Sequence, residues 1–274
     1  MSLWSLLGLV LALSSPPKEV WTEFRGPNGT GTVADTMVPT VWSETQAVKW
    51  KTPIPGRGWS SPVIWGNQIW MTSATEDGKQ MFVYCVDKQT GKVLHQRLLF
   101  ENATTEPIHE TNSYASPTPV IEAGRVVVHF GTYGTACIDT KTFKTIWQRR
   151  DLKCQHSVGP GSSPILYNNR VILTFEAIDV QYMIALDMKT GDTVWKTPRS
   201  TKLSQVSAEE RKAFSTPIIV QVNNQPMLIS AGAQADYAYD PRDGREIFQF
   251  RNKGFSSSCR PLVGFGMVFM NVAF

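Results

Sequence analysis

A short phrase recurs four times along the chain, and its period limits the folds that the chain can adopt. The copies read CVDKQTGKVLH, CIDTKTFKTIW, ALDMKTGDTVW and AYDPRDGREIF, and successive anchoring aspartates are 52, 48 and 53 residues apart. A period in this range indicates a propeller or a solenoid, because each unit buries its apolar face against its neighbours. The anchoring aspartates are Asp87, Asp139, Asp187 and Asp240.

Each unit also contains the runs expected of one propeller blade. A Ser-Pro or Thr-Pro step precedes two short β-rich runs, as at 62–65 and 68–72, or at 164–167 and 171–175, and an Asn/Gly turn divides the two runs. Such punctuation is typical of a β-hairpin. A third run ends at the aspartate and a fourth follows the turn, which predicts four antiparallel strands per unit. The assigned steps are Ser61-Pro62, Ser116-Pro117, Ser163-Pro164, Thr216-Pro217 and, in a fifth unit, Arg260-Pro261.

Three positions of the repeated phrase have predicted structural roles. The aspartate at the turn is predicted to accept hydrogen bonds from amides two or three residues later. The glycine four positions on supplies a positive φ, and Phe143 in that place predicts a looser or strained turn. The ring eight positions on is predicted to pack between blades. These rings are His95, Trp147, Trp195 and Phe248.

The predicted fold is therefore all-β: a β-propeller of four-stranded antiparallel blades, with four full blades and partial strands at both ends. Residues 48–52 resemble the outermost strand of the third unit, and 267–274 match only a second strand. An open ring exposes apolar faces and strand edges, so we expect further blades and a ring of about seven or eight. A closed five-bladed ring is the alternative. The propeller domain is assigned to 48–274.

The N-terminus and the charge pattern restrict the cellular setting. An apolar run, Leu3 to Leu13, is too short to span a bilayer, and Ala12-Leu13-Ser14 resembles a cleavage site. A signal peptide at 1–14 and an extension at 15–47 are predicted, with a buried N-terminal segment as the alternative. The mature chain is then secreted or periplasmic, without a transmembrane segment. The net charge of +4 is evenly spread, which argues against a nucleic-acid partner.

The four cysteines divide into two pairs by position. Cys85 and Cys137 stand two residues before an anchoring aspartate, where the other units have alanine. They are predicted to be small buried side chains. Cys154 and Cys259 lie in loops and can either pair or remain free. The chain has no CxxC motif, which argues against a cysteine metal site.

The loops that lead into the units converge at one end of the predicted channel, and they hold the candidate ligand-binding residues. His109 and His156 are candidates for a base or metal ligand, or for loop histidines bonded to backbone. The arginines can bind an anion or form inter-blade salt bridges, and Trp59 can stack on a ligand or plug the channel. The candidates are Arg57, Trp59, His109, Glu110, Asn112, Tyr114, His156, Arg211, Phe214 and Arg260.

The repeat is similar to that of the pyrroloquinoline-quinone-like β-propeller family. The stretch Trp21-x-x-Phe24-Arg25-Gly26-Pro27-x-Gly29, followed by 56–62, resembles exported bacterial propellers of unassigned activity. The family contains enzymes and non-enzymes. For the quinoprotein alcohol dehydrogenases the resemblance implies pyrroloquinoline quinone, calcium and an adjacent cysteine pair. That pair is absent from this sequence, and no calcium ligand set can be placed on matching positions.

Two functions follow from these observations. The first is an exported binding scaffold of the bacterial cell envelope that holds an envelope protein or a small ligand at the channel mouth. The alternative is a quinoprotein-type oxidoreductase that uses pyrroloquinoline quinone and a divalent cation. A hydrolase that uses His109 and Glu110 is a third and more distant hypothesis.

Overall fold

A computed structural model describes residues 20–33 and 39–273, and within these ranges almost all regular structure is β. The predicted signal peptide, 1–14, lies outside the described residues. Three short 3-10 helices occur, at Pro27–Gly29, Gly131–Tyr133 and Glu209–Arg211. In the described part of the chain, no helix has the length and apolar character needed to cross a membrane.

Four sheets are built from strands in chain order, with antiparallel neighbours, as expected of propeller blades. The first blade contains β2 (Val63–Trp65), β3 (Gln68–Ala74), β4 (Gln80–Asp87) and β5 (Val93–Glu101). The second contains β6 (Val120–Glu122), β7 (Arg125–His129), β8 (Thr135–Asp139) and β9 (Thr145–Arg149). The third contains β10 (Ile165–Tyr167), β11 (Arg170–Glu176), β12 (Gln181–Asp187) and β13 (Thr193–Pro198). The fourth contains β14 (Ile218–Val222), β15 (Gln225–Ala231), β16 (Ala235–Tyr239) and β17 (Glu246–Arg251). The prediction of an all-β propeller with four full blades is confirmed.

Partial strands lie at both ends of this array. β1 (Val20–Trp21) pairs with β2 and gives the first sheet a fifth strand. β18 (Leu262–Gly264) and β19 (Met267–Phe269) form a two-stranded sheet in the fifth unit. β1 comes from the stretch that the sequence assigned to an N-terminal extension, so part of that stretch belongs to the propeller.

The turn at the end of each third strand has the predicted geometry. In the first blade, Asp87 Oδ1 accepts hydrogen bonds from the amides of Gln89 and Thr90, at 3.0 and 2.8 Å. The second and third blades repeat this pair, and Asp240 accepts from the amide of Arg242. Phe143 has a left-handed φ of +60°. Gly91 and its equivalents occupy the same region, at +74° to +77°, without steric cost. The expected strain therefore lies at Phe143.

The aromatic side chains join consecutive units. Each tryptophan ring lies against the turn glycine of the next unit, so a Cβ on that glycine would approach the indole within 2.7 Å. Its indole N–H donates to the carbonyl of the residue that follows the next anchoring aspartate, at 2.9 to 3.2 Å. The tryptophan–glycine pairs are Trp50 with Gly91, Trp147 with Gly191 and Trp195 with Gly244. The prediction of inter-blade packing is confirmed at Trp147 and Trp195.

Residues 48–52 correct one prediction. They form no strand, although their sequence resembles that of β13. Trp50 nevertheless contacts the first blade as Trp147 contacts the third. The indole of Trp50 can make this contact without a neighbouring strand, whereas the backbone hydrogen bonds of a β-strand require one.

The opening step of the second unit also needs correction, from Ser116-Pro117 to Thr118-Pro119. Thr118 lies two residues before β6, as Ser61 lies two residues before β2. A relay of hydrogen bonds marks these positions: Ser61 N donates to Thr118 Oγ1, Thr118 N to Ser163 Oγ, and Ser163 N to Thr216 Oγ1, at 2.9 to 3.0 Å. The hydroxyl at this step therefore links each unit to the next.

All four cysteines are free thiols, so Cys154 and Cys259 do not pair. Cys85 and Cys137 are buried inside the apolar clusters of the blades, as predicted. Burial raises the pKa of both thiols to about 12. They are packing residues.

Candidate functional site

An N-terminal segment, residues 20–31, lies along the channel. The first strand of each blade is nearest the axis, since β2 packs beside β6. β1 occupies the free edge of β2, and the carbonyl of Thr22 accepts a 2.9 Å hydrogen bond from the amide of Ile121 in β6. Positive φ at Arg25 and Gly26 turns the segment back on itself. The backbone of the segment therefore lies beside the innermost strands of the first two blades.

Arg260 holds this segment against the fifth unit. Its guanidinium donates to the carbonyl of Phe24 at 2.6 Å, the carboxylate of Glu23 at 3.1 Å and the carbonyl of Pro217 at 3.1 Å. The Arg260 side chain is buried and Glu23 is nearly so. Burial raises the pKa of Glu23, and the Arg260 charge acts in the opposite direction. Of the two sequence hypotheses for Arg260, an internal ion pair describes the geometry, and its partner is the N-terminal segment.

Two further candidate residues fasten the long second loop to its surroundings. The side-chain amide of Asn112 donates to the carbonyls of Val158 and Pro160, and its oxygen accepts from Ser116. Tyr114 is buried and its hydroxyl donates to the carbonyl of Glu106 at 2.6 Å. Asn112 and Tyr114 set the shape of the loop.

His156 is buried beside Cys154 between the second and third units. Its Nε2 accepts a 3.0 Å hydrogen bond from the amide of Thr132 and lies 3.2 Å from the thiol of Cys154. Burial lowers the pKa of His156 to about 4 and raises that of Cys154. The pair is neutral at physiological pH, so Cys154 lacks the thiolate that a nucleophile requires. The sequence hypothesis of a backbone-bonded loop histidine describes His156.

The first and second loops form an exposed surface at the mouth. Trp59 is 53% exposed, and the Arg57 guanidinium lies 5.1 Å from its ring centroid. The Trp59 indole donates to the carbonyl of Thr111 at 2.8 Å, and Arg57 donates to that of Glu110. His109 Nδ1 shares a 2.8 Å hydrogen bond with Thr111 Oγ1. Trp59 thus presents about half of its side chain to solvent.

A cavity of about 370 Å³ opens beside this surface, between the loops of the second to fifth units. Phe214 forms one wall, and its amide donates to the carbonyl of Ser257 at 2.8 Å. Arg211 is turned away onto the carbonyl of Val206. The cavity is lined by His109, Thr111, Asn112, Val158, Gly161, Glu209, Lys212, Phe214, Ser256 and Ser258.

The structure thus divides the ten sequence candidates into three groups. Arg57, Trp59, His109 and Glu110 meet on the exposed surface, and Phe214 lies across the cavity from them. Asn112 and Tyr114 shape the second loop. His156, Arg211 and Arg260 are engaged elsewhere. Lys212 and Glu209 also line the cavity. They are not among the ten candidates, although Lys212 lies in the predicted mouth loop 211–214 and both belong to the mixed charge run at 209–212.

The residues present do not fit a quinone and its cation. The segment 20–31 lies beside the inner strands of the first two blades, and the adjacent cysteine pair is absent. Within 20–33 and 39–273, no three His, Cys, Asp or Glu side chains lie close enough together to hold a metal ion. We therefore derive no chemistry through this cofactor.

Comparison with known proteins gives a family match and a set of distant structural likenesses. A family profile described as "Outer membrane protein assembly factor BamB" matches residues 40–271. BamB from Moraxella catarrhalis is 14% identical, with 78% of this chain and 56% of that chain covered and a TM-score of 0.49. The quinohemoprotein alcohol dehydrogenase from Comamonas testosteroni is 12% identical, with 72% and 35% covered and a TM-score of 0.48. The chain therefore spans little more than half the length of the first of these structures. No curated protein matches the chain.

Proposed function

Because the chain belongs to the family described as outer membrane protein assembly factor BamB, we propose that it is an exported β-propeller scaffold of the bacterial cell envelope. Its channel mouth binds a partner protein. The observation that carries this proposal is the exposed Trp59 with Arg57 over its ring. Tryptophan and arginine are enriched among the residues that dominate protein–protein affinity.

The Trp59 surface is held in place before any partner binds. The Trp59 indole donates to Thr111, and its amide lies within hydrogen-bonding distance of both Ala115 O and Ser113 Oγ. A side chain that is already ordered costs less entropy when a partner immobilises it. A fixed and exposed aromatic side chain of this kind suits recognition of a protein surface.

The polar groups of the mouth support binding over catalysis. His156 and Cys154 are neutral and buried, and Asn112 and Arg260 are engaged with backbone or with a buried carboxylate. His109 Nδ1 accepts a hydrogen bond from the amide of Thr111 and lies within hydrogen-bonding distance of the Thr111 hydroxyl. General acid–base catalysis needs a group within reach of the reacting proton and with a suitable pKa. The described groups serve mainly to build the mouth.

A capture experiment with a matched control tests this proposal. The tagged full chain is incubated with solubilised envelope proteins of its own bacterium, and the affinity for the retained protein is measured. Trp59→Ala removes the exposed ring, and loss of such a residue weakens binding by about 30-fold. Trp42→Ala is the control, since Trp42 is 73% exposed but lines neither the pocket that contains Trp59 nor the mouth cavity. Equal binding by the two variants contradicts the proposal.

The quinoprotein alternative is tested in parallel. Pyrroloquinoline quinone and calcium are titrated into the protein, and dye-linked alcohol oxidation is measured. The scaffold proposal predicts neither stoichiometric uptake nor turnover. Uptake together with turnover would replace the scaffold by the oxidoreductase.

A further inference from the structure

We propose that the mouth cavity binds a carboxylate group of the partner protein, with Lys212 as the cation that receives it. This inference rests on the proposed function and adds the chemistry that the partner must present. It starts from a buried lysine that shares the cavity wall with an exposed glutamate.

Lys212 is a buried cation with little compensation. Its side chain is 1% exposed, and its ammonium pairs with Glu209 and has no further partner in the described part of the chain. Neighbouring backbone bonds fix its position: Ser256 N donates to Lys212 O at 2.7 Å, and Phe214 N donates to Ser257 O. A buried charge is costly unless it is paired and hydrogen-bonded. The compensation of the Lys212 charge therefore depends on one carboxylate, that of Glu209.

Glu209 is an anion that a ligand can replace. Its side chain is 61% exposed and lies on the one-turn helix Glu209–Arg211. Other contacts hold this helix, because Glu210 accepts from Ser207 and Arg211 donates to Val206. An incoming carboxylate would keep Lys212 paired while the exposed Glu209 carboxylate returns to water. Displacement of the Glu209 carboxylate would thus cost little and would leave the helix in place.

The remaining lining suits a carboxylate on a short side chain. Thr111, Ser256 and Ser258, which carry hydroxyls, line the cavity. Hydrogen bonds from hydroxyls to an ionised group are stronger than those between neutral groups. Phe214 and Val158 supply apolar walls. The volume of about 370 Å³ lies at the lower end of the range for ligand pockets. These dimensions favour an Asp or Glu side chain or a C-terminal carboxylate.

The cavity is continuous with the proposed protein-binding surface. Thr111 lines the cavity, and its carbonyl accepts the hydrogen bond from the Trp59 indole. A partner that covers Trp59 can therefore place an acidic group beside Lys212. Both contacts belong to one interface.

Small peptides test the proposal directly. Three probes are compared by saturation-transfer NMR: acetyl-Ala-Glu-Ala-amide, the same peptide with Gln, and acetyl-Ala-Ala-Ala with a free carboxyl terminus. We expect the full chain to bind one or both carboxylate probes and not the neutral probe. The preference between the two acids tells whether a side chain or a C-terminus is recognised.

Two substitutions assign the binding to this cavity. Glu209→Gln removes the competing carboxylate and should lower the Kd about fivefold, the size expected for a weak ion pair. Lys212→Met should abolish binding. The matched controls are Glu44→Gln, which makes the same charge change in the exposed ion pair with Lys51, and Lys202→Met, which removes an exposed lysine. Neither control should change the Kd.

The inference is overturned if Glu209→Gln binds no carboxylate probe, or if the neutral Gln peptide binds as well as the tighter of the two carboxylate probes. The Glu209→Gln result decides the matter even if Lys212→Met does not fold. If carboxylate binding fails while Trp59→Ala still weakens partner capture, only this inference is lost. If a carboxylate probe binds but Trp59→Ala does not weaken partner capture, the proposed function is overturned instead.

Discussion

Asp236 shows how a single side chain of the fold responds to pH. Its carboxylate is buried on the side of β16 that faces the fifth unit, and Oδ2 accepts a 3.1 Å hydrogen bond from Asn252. Burial raises the pKa of Asp236 to about 6, while the Asn252 bond and the Arg199 charge oppose the rise. Folding therefore favours the protonated acid.

We predict that Asp236 destabilises the protein at neutral pH. The pKa of Asp236 is about 6 in the folded protein, above the usual aspartate value of 3.8. The destabilisation is therefore absent below pH 3.8, grows between pH 3.8 and about 6, and is complete above that range. Asp236→Asn keeps an oxygen acceptor for Asn252 and removes the charge. Urea unfolding should show a larger free energy for the variant at pH 7 and little difference at pH 3.5. An equal effect at both pH values would contradict the pKa assignment.

The sequence allowed the backbone bonds of the turns to be predicted better than the ends of long side chains. The Asp87 turn follows from local rules, because the acceptor and its donors are two or three residues apart. The partners of Arg260 and Asn112 lie 237 and 46 residues away. The groups that these side chains bind depend on the paths of distant loops, which no local sequence pattern encodes.

At the scale of the element, the junction of the first and second units differs from the other junctions. Trp147 and Trp195 each pack on a glycine of the next unit. At the first junction His95 stands in the tryptophan position and Phe143 in the glycine position, and their rings stack at 4.6 Å. A smaller ring is paired with a larger turn residue, so the two changes compensate each other.

This compensation predicts strong coupling between positions 95 and 143. His95→Trp alone overpacks the junction, and Phe143→Gly alone leaves a void, although it relieves the strain at φ +60°. The double variant recreates the tryptophan–glycine pair. Its free energy of unfolding should exceed the additive expectation by about 1 kcal/mol or more in urea titrations.

A distant pair serves as the control for this cycle. His95→Trp combined with Gly244→Ala should be additive within about 0.5 kcal/mol, because the two sites share no contact. If the effects of His95→Trp and Phe143→Gly on the free energy of unfolding were also additive, the stacked rings would not form the junction.

The predictability of the elements follows the same division between local and distant information. The strand runs 62–65 and 164–167 agree with β2 and β10 within one residue, because apolar runs and Asn/Gly turns are local signals. The stretch 48–52 was misassigned, because a strand also requires a neighbour that the sequence does not show. The second opening step was misassigned because two such steps occur in succession, at Ser116 and Thr118.

At the scale of the whole molecule, one buried ion pair joins the two ends of the described chain. Arg260 of the fifth unit binds Glu23 and the carbonyl of Phe24 in the N-terminal segment. Gly29 lies so close to the guanidinium that a Cβ there would approach it within 2.2 Å. The segment is thus attached to the fifth unit at Arg260, directly after the loop at 255–259, which forms part of the mouth.

Removal of this link should destabilise the fold and release the segment. Arg260→Met leaves the Glu23 carboxylate buried without a cation, a loss that costs about 3–5 kcal/mol. Hydrogen exchange measured by mass spectrometry should quicken at 20–31 and 255–259. Arg149→Met is the control, since its partner Asp151 is exposed and the expected cost is below about 1 kcal/mol. Equal losses in the two variants would contradict the role given to Arg260.

The fold of this molecule was more predictable than its site. The repeat period and the turn chemistry specify blades, and a blade restricts nearly every apolar position. The mouth consists of irregular loops, in which the contact between Trp59 and Thr111 and the pairing of Lys212 with Glu209 depend on the packing of separate units. The sequence therefore predicts which loops form the mouth, whereas only the structure shows which of their side chains are exposed and which are bonded to the rest of the protein.

Photocrosslinking in the living bacterium tests the central claim, that the mouth binds a partner protein, most directly. A benzophenone amino acid replaces the exposed Glu110 beside Trp59, or, as the control, the exposed Leu94 on β5. We predict one crosslinked envelope protein from position 110, none from position 94, and loss of the product when Trp59→Ala is added. No product at position 110, or the same product from both positions, would contradict the account.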